Sequence, residues 1–442
     1  MKTFAIILFA FFGLAACSDV LELTPTDAIS TEVALETDEG VKQVLIGAYN
    51  ALSASSLFGG ELMRNAELFG GLDEIVWLGT FEAPREIYNH QILVTNVDVE
   101  GFWVEAYNLI NICNNILAHI DVVKEADRNR VRGEALLLRG WILFELTRFF
   151  GQQYVAGTNN TQLGVPIITS PSAASTDNAF PARNTVEECY AQALADVTEA
   201  EALLPATNEV FATKYTAAAV LARIYLQMEN YEAARDAAHR VISSGKYSLL
   251  PTYAEIFNTD GLTKECVFGI VVTATDGINA MNTYFSTLAY GGRGDIEIKQ
   301  SFLDLYDPAD TRKALYFKTA NRWRTGKFNN QFGDINIIRL AEMYLIRAEC
   351  NLRLGTAVGA SPVDDYNKTR VRAGLPAVTT VTLDDILLER RLELAHEGLR
   401  VHDIKRLRQS VGSFAWNDPM MVYPIPQREI TINPNLIQNP GY

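Results

Sequence analysis

Residues 218–243 read AAVLARIYLQMENYEAARDAAHRVIS, and the spacing within this stretch decides the architecture. Leu221, Ala222, Tyr225 and Ala234 fall at tetratricopeptide spacing, in which two short helices pack against each other. The small side chain of Ala222 lets the second helix approach closely through Ala234. A single alanine-rich hairpin would fit this pair equally well. Segments 131–150, 339–354 and 387–408 carry similar, degenerate patterns. Units that cannot bury their apolar faces alone do so by stacking, which makes a helical scaffold of paired units the expectation. Stacks of this kind usually serve as protein-docking surfaces.

Outward from that pair, helical periodicity recurs at 41–52, at 102–120 with Trp103, Tyr107, Ile110, Asn114 and Leu117 in register, and at 131–150. The 131–150 segment is apolar on most sides, so it should be buried. Further helices are expected at 186–204, 216–228, 231–243, 337–354 and 383–408. Residues 151–183 are rich in Gly, Ser, Thr, Asn and Pro without periodicity and read as a long loop. Residues 251–334 are irregular, with a strand at 266–273 and a glycine run at Gly291-Gly292-Arg293-Gly294. Nothing suggests a hinge, so 17–442 reads as one domain after a leader at 1–16. Within it, 17–40 is a polar tether, the scaffold lies mainly at 102–150, 186–243 and 337–408, and two loop-rich segments fall at 61–100 and 251–334. The fold class is mostly α with few short strands.

The leader combines Lys2 with an apolar run from Phe4 to Ala16. That run falls short of the ~20 residues a spanning helix needs and has the length of a secretory signal. It ends Leu14-Ala15-Ala16-Cys17, which resembles a bacterial lipobox, where the cysteine thiol is acylated and becomes the first residue. Several acyl chains give stable anchoring where one gives marginal binding. The expected contact with membrane is through Cys17 alone.

The chain carries 38 basic and 53 acidic residues, a net charge of −15, and loss of the leader removes only Lys2. Such a balance repels phosphate backbones and argues against nucleic acid as a partner. Hydrophobic content of 48% is ample for a large core. Cys113, Cys189, Cys266 and Cys350 form no CxxC and read as buried free thiols.

Signs of catalysis are missing. His90, His119, His239, His396 and His402 lie in no metal-binding pattern, the serines lie in no GxSxG, and the glycine run lacks the Lys-Ser/Thr of a phosphate loop. No cofactor or metal is expected. A glycosidase carboxylate pair could still sit among Asp304, Asp307 and Asp310, because spatial separation rather than sequence sets that chemistry.

The order of short motifs along the chain resembles the SusD/RagB family of outer-membrane nutrient-binding lipoproteins. After Cys17-Ser18-Asp19-Val20-Leu21-Glu22-Leu23-Thr24-Pro25 come Gly47-Ala48-Tyr49-Asn50, the Trp103 helix, Glu134-Ala135…Leu138-Arg139, Phe149-Phe150-Gly151 and Gly164-Val165-Pro166. Arg339-Leu340-Ala341-Glu342 and Arg370-Val371-Arg372-Ala373-Gly374-Leu375 follow. The most specific pieces are Glu389-Arg390-Arg391-Leu392-Glu393-Leu394…Glu397-Gly398…Arg400…Asp403 and the tail from Tyr423-Pro424-Ile425-Pro426 to Asn439-Pro440-Gly441-Tyr442.

The resemblance implies a SusD-like fold on the outer membrane, lipid-anchored and facing the cell exterior. It implies tetratricopeptide-type helices facing a SusC-like TonB-dependent transporter, and delivery of oligosaccharides, or of peptides in one branch. A secreted hydrolase is the remaining alternative. The charged residues Arg390, Arg391, Glu393, Glu397 and Asp403 fit helix-to-helix ion pairs better than ligand contacts. In this family the ligand is held by variable loops, and sugar recognition needs an aromatic face with planar polar groups beside it. These requirements select Asp73, Trp77, Tyr88 and Asn96 in the first loop-rich segment, and Tyr290, Arg293 and Trp323 in the second. Asp73 also matches an acidic position common in the family. Core packing competes with ligand contact for each aromatic, since Trp and Tyr are highly buried on average. Trp103, Trp141 and Trp416 are assigned to the core.

Overall fold

The computed structural model describes residues 31–172, 180–275 and 277–442. Cys17 and the leader lie outside the described residues. Within the expected tether, Thr31–Ala34 is already a helical turn. Helix α1 (Asp38–Leu52) starts where the Thr37 side chain accepts a hydrogen bond from the Gly40 amide at 3.1 Å.

The scaffold is an array of neighbouring helices. α1 packs on α2 (Val97–Ala118), which packs on α3 (Glu125–Phe150), then α4 (Val186–Leu203), α5 (Lys214–Gln227) and α6 (Tyr231–Ser243). From Gly133 onward nearly every residue of α3 is buried, which makes it the central helix. Its polar members are matched: Arg139 grips Asp196 of α4 with two bonds of 2.7 Å. The α3–α4 approach depends on Gly140, where a Cβ would stand 2.8 Å from the Asp196 Cβ and 2.9 Å from Val197. In α5 and α6, Ala217, Ala218, Ala219, Ala222, Ala234, Ala237 and Ala238 are all buried at the helix contacts. This is the close packing that the 218–243 pattern requires.

Residues 244–339 leave the array, yet the array closes across them: α6 packs on α7 (Leu340–Leu354). There Arg347 meets His239 at 2.8 Å and holds Asp365 of α8 (Pro362–Arg372) at 2.7 Å. Arg223 of α5 reaches Glu342 of α7 at 2.8 Å. The expected single helix over 383–408 is two, α9 (Leu383–Glu393) and α10 (Arg400–Arg406). Between them His396 and Gly398 adopt positive φ, 64° and 80°, which breaks the helix. The cysteines Cys113, Cys189, Cys266 and Cys350 are buried free thiols.

The excursion and the 75–77 segment supply the strands. A four-stranded antiparallel sheet runs in the order β1 (Ile75–Trp77), β3 (Ile296–Ile298), β5 (Arg322–Thr325), β4 (Tyr316–Thr319). A second, two-stranded sheet pairs β2 (Cys266–Ile270) with β6 (Ile335–Arg339). The segment at 61–100 is less loop-like than its sequence suggests, holding helices at Glu61–Gly70 and Glu82–Tyr88 besides β1.

The charged motif near the C-terminus is an internal ion network. Arg312 bonds Asp310, Glu389 and Glu393 at 2.7, 2.7 and 3.2 Å, and Arg339 bonds Glu265, Glu393 and Glu397 at 2.7, 3.0 and 2.7 Å. Arg390 joins Asp403 and Glu342 at 2.9 and 3.2 Å, while Arg391 reaches Glu74 at 2.6 Å. Burial pushes the Glu393 carboxyl up, but Arg372, Arg339 and Arg312 overrule it and hold it at about 2. These residues brace helices, as their motif led us to expect.

Candidate functional site

Strand register sorts the candidate residues. Residues facing each other across an antiparallel pair lie on one side of the sheet, and neighbours in sequence alternate. Trp77 opposes Ile296, Ile75 opposes Ile298, Ile298 opposes Trp323, and Trp323 opposes Lys318. All of these share the face that carries buried Ile75, Ile296, Ile298 and Tyr316. Trp77 is therefore a core residue, 7% exposed, with its ring 6.0 Å from that of Tyr284. Its indole Nε1 is buried without a partner. Trp323 sits at the open end of the same face, half-buried. Its indole N–H donates to Gln300 at 2.7 Å, and Lys318 stands 4.9 Å over its ring.

Asn96 and Tyr88 are also structural. The Asn96 side chain caps α2, accepting from the Asp98 and Val99 amides at 3.1 Å each, and donates to Glu86 and to the Ala83 carbonyl. Tyr88 donates its hydroxyl to the Ile75 carbonyl at 3.0 Å, fastening its helix to β1. Asp73 is exposed, and its carbonyl accepts from Ser301.

Tyr290 and Arg293 each lie against a phenylalanine ring, Phe317 and Phe81 respectively. Glu297, Arg322, Arg324 and Phe317 alternate with the buried set and lie on the opposite side of the sheet, where Arg324 is itself buried. Arg293 lies 4.3 Å over the ring of Phe81 and is held there by Asp295 at 2.8 Å. Phe81 stands edge-on to Tyr284 at 6.4 Å, and Arg64 stacks on Tyr284 at 4.1 Å, fixing that ring. Beyond Gly294, Arg324 opposes Phe317 across the β4–β5 hairpin, and Phe317 meets Tyr290 edge to face at 6.2 Å. Phe81 and Tyr290 are each 46% exposed, enough to offer a ring to a ligand. The result is a strip of two ring pairings, Phe81 under Arg293 and Tyr290 against Phe317, with buried Arg324 across the hairpin from Phe317.

Phe81, Tyr284, Phe317 and Arg324 are absent from the sequence-derived set. A usable signal existed for Phe317, since Tyr316-Phe317-Lys318-Thr319 alternates like a strand, whereas the pairing that turns it outward is long-range. Trp103 and Trp141 are buried as expected, but Trp416 is half-buried, with Arg408 over its ring at 5.8 Å. His396 and His402 do not form a ligand pair. His396 lies among the rings of Phe285, Phe302 and Tyr316, and burial drives both imidazoles to the neutral form. Among the described residues, no group of three or more His, Cys, Asp or Glu is placed to hold a metal ion.

A family model described as "Starch-binding associating with outer membrane" matches residues 19–226, and a SusD family model matches 307–418. The chain belongs to the SusD/RagB family. Among solved SusD superfamily structures, one from Bacteroides thetaiotaomicron is 28% identical, with a TM-score of 0.81 over 91% of this chain and 100% of that one. A putative sugar binding protein from Bacteroides vulgatus is 29% identical, with a TM-score of 0.82 over 92% of this chain and 99% of that one. A SusD-like protein of Formosa agariphila aligns over 100% of this chain and 99% of its own length at 25% identity. The starch-binding protein SusD of Bacteroides thetaiotaomicron is 34% identical over 25% of this chain and 22% of its own length.

Proposed function

We propose that this SusD-family chain captures oligosaccharides at the cell surface and passes them to a SusC-like TonB-dependent transporter, without cleaving them. The observation that carries the reading is the set of half-exposed groups beside the four-stranded sheet, the rings of Phe81 and Tyr290 and the guanidiniums of Arg293 and Arg322. Tyr290 and Phe81 can take the C–H face of a sugar ring, while Arg293 and Arg322, with Nη2 of Arg324, supply planar donors for hydroxyls. The strip is open rather than a deep polar cleft, which favours a glycan over a peptide.

In this reading Cys17 carries the lipid that tethers the chain to the outer membrane, on its exterior side. The ion-paired helical array is the rigid body that would face the transporter. The test is incubation of the purified protein with oligosaccharide pools, followed by assay of both depletion and reducing ends. Depletion without new ends is expected. New ends would instead identify a hydrolase, and depletion of mixed peptides but no glycan would identify a peptide carrier. For the anchor, Cys17→Ala should abolish acylation and membrane partition. An acylated, membrane-bound variant would refute it.

A further inference from the structure

The strip is unusual in its charge. From Thr311 to Gly333 there is no Asp or Glu, in a chain whose net charge is −15. That stretch folds into the β4–β5 hairpin, whose two-residue turn at Ala320 and Asn321 has φ of 51° and 62°. Positive φ at both positions matches the twist of a tight hairpin, and it costs an alanine some strain. The hairpin thereby fixes Arg322 and Arg324 on one side of the sheet, two residues apart.

The guanidiniums of this face are not equally satisfied. Arg293 has Asp295 at 2.8 Å and Arg322 has Glu297 at 3.9 Å. Arg324 has no carboxylate within ion-pair reach among the described residues. Its Nη1 donates to the Ile296 carbonyl at 2.5 Å, and its Nε is buried with no partner. Only 7% of the residue is exposed. Its Nη2 lies beside Gly294, whose missing side chain leaves it in no more than ordinary contact, an added Cβ standing 3.7 Å away. Burial pulls this guanidinium below its ordinary value, with Glu297 and Asp295 opposing. A desolvated cation without a carboxylate is costly, and Arg324, set across the hairpin from Phe317, is poised for an anion carried by the ligand.

We propose that this face selects an anionic oligosaccharide, bearing a carboxylate or sulfate on its rings, and that Arg324 reads that charge. The inference rests on the glycan-capture reading above. The ring of the charged sugar lies against Phe317 and Tyr290, and its anionic oxygens accept from Arg324. The overall charge of the chain repels anions at long range, so the local excess of the guanidiniums Arg293, Arg322 and Arg324 over the carboxylates Asp295 and Glu297 is what such a ligand requires.

The test is calorimetric titration of the intact chain with pools of uronate-bearing and of sulfated oligosaccharides, each beside its esterified or desulfated counterpart. A charged pool should bind about tenfold or more tightly than its neutralised counterpart, and added salt should erode that margin. Whichever of the two pools shows the margin identifies the anion. Arg324→Gln should level charged with uncharged, and Arg324→Lys, which keeps the charge without the fork, should keep part of the preference. Equal binding of charged and neutralised pools overturns the inference and leaves glycan capture standing. A preference that survives Arg324→Gln overturns the assignment to Arg324. Should that variant fail to fold, the wild-type comparison and Arg324→Lys still decide. Binding of no pool at all overturns both readings.

Discussion

Arg339 and Glu397 meet as a two-pronged pair, with Nε 2.7 Å from one carboxylate oxygen and Nη2 2.9 Å from the other, both side chains buried. The pair joins the end of β6 to the turn after α9, and Arg339 also serves Glu265 and Glu393. A charge network this deep stabilises only while it is complete, because an orphaned buried charge is worse than none.

Arg339→Met should therefore destabilise the fold by about 3–5 kcal/mol, read from urea unfolding. A loss within experimental scatter would mean that the carboxylates find other partners.

Glu67 gives a pH signature. Its carboxylate accepts from the Gly398 and Leu399 amides at 2.8 and 3.1 Å, while burial and the nearby Glu74 push its pKa from 4.5 up to about 8. Below the lower value folded and unfolded chains both hold the proton. Between the two values only the folded chain does, so this contribution declines as pH rises, by about 1.4 kcal/mol per unit, until about pH 8. Glu67→Gln mimics the neutral acid without titrating. Its stability should approach that of wild type near about pH 5 and exceed it above about pH 8. A variant-minus-wild-type difference that is flat with pH would contradict the assignment.

Binding and stability should separate by residue. Tyr290→Ala is expected to weaken glycan affinity about tenfold or more with little change in melting temperature, since its ring lies at the surface. Trp77→Ala should instead cost about 3–5 kcal/mol of stability as a buried large-to-small change. If Trp77→Ala folds normally and loses only binding, the face assignment from strand register is wrong.

Gly140→Ala tests the helical array. The added methyl would press on Asp196 and Val197, and a destabilisation of about 1–3 kcal/mol is expected from thermal or urea unfolding. An unchanged or raised melting temperature would show that α3 and α4 can separate without cost.

The scaffold was legible because its signals are local. Alanine spacing in 218–243 and the apolar surface of 131–150 each report a helix and its buried faces within a few turns. The ion network was legible in residue type, since opposite charges at helical spacing within an apolar body need one another. The site was less so. Whether Trp77, Trp323, Phe317 or Arg324 faces outward depends on the pairing of β1 with β3 and of β3 with β5, contacts far apart in sequence. A shift of one residue would reverse every face. Asn96 was misread although Asp98 and Glu100 follow it, the acidic first turn that marks a helix cap.

The most direct test of oligosaccharide capture is calorimetric titration of the intact chain with oligosaccharide pools, with reducing ends assayed in the same samples. Saturable binding, no new reducing ends, and loss of the signal in Tyr290→Ala are the expected result. Absence of binding to every glycan pool, or the appearance of new reducing ends, would contradict it.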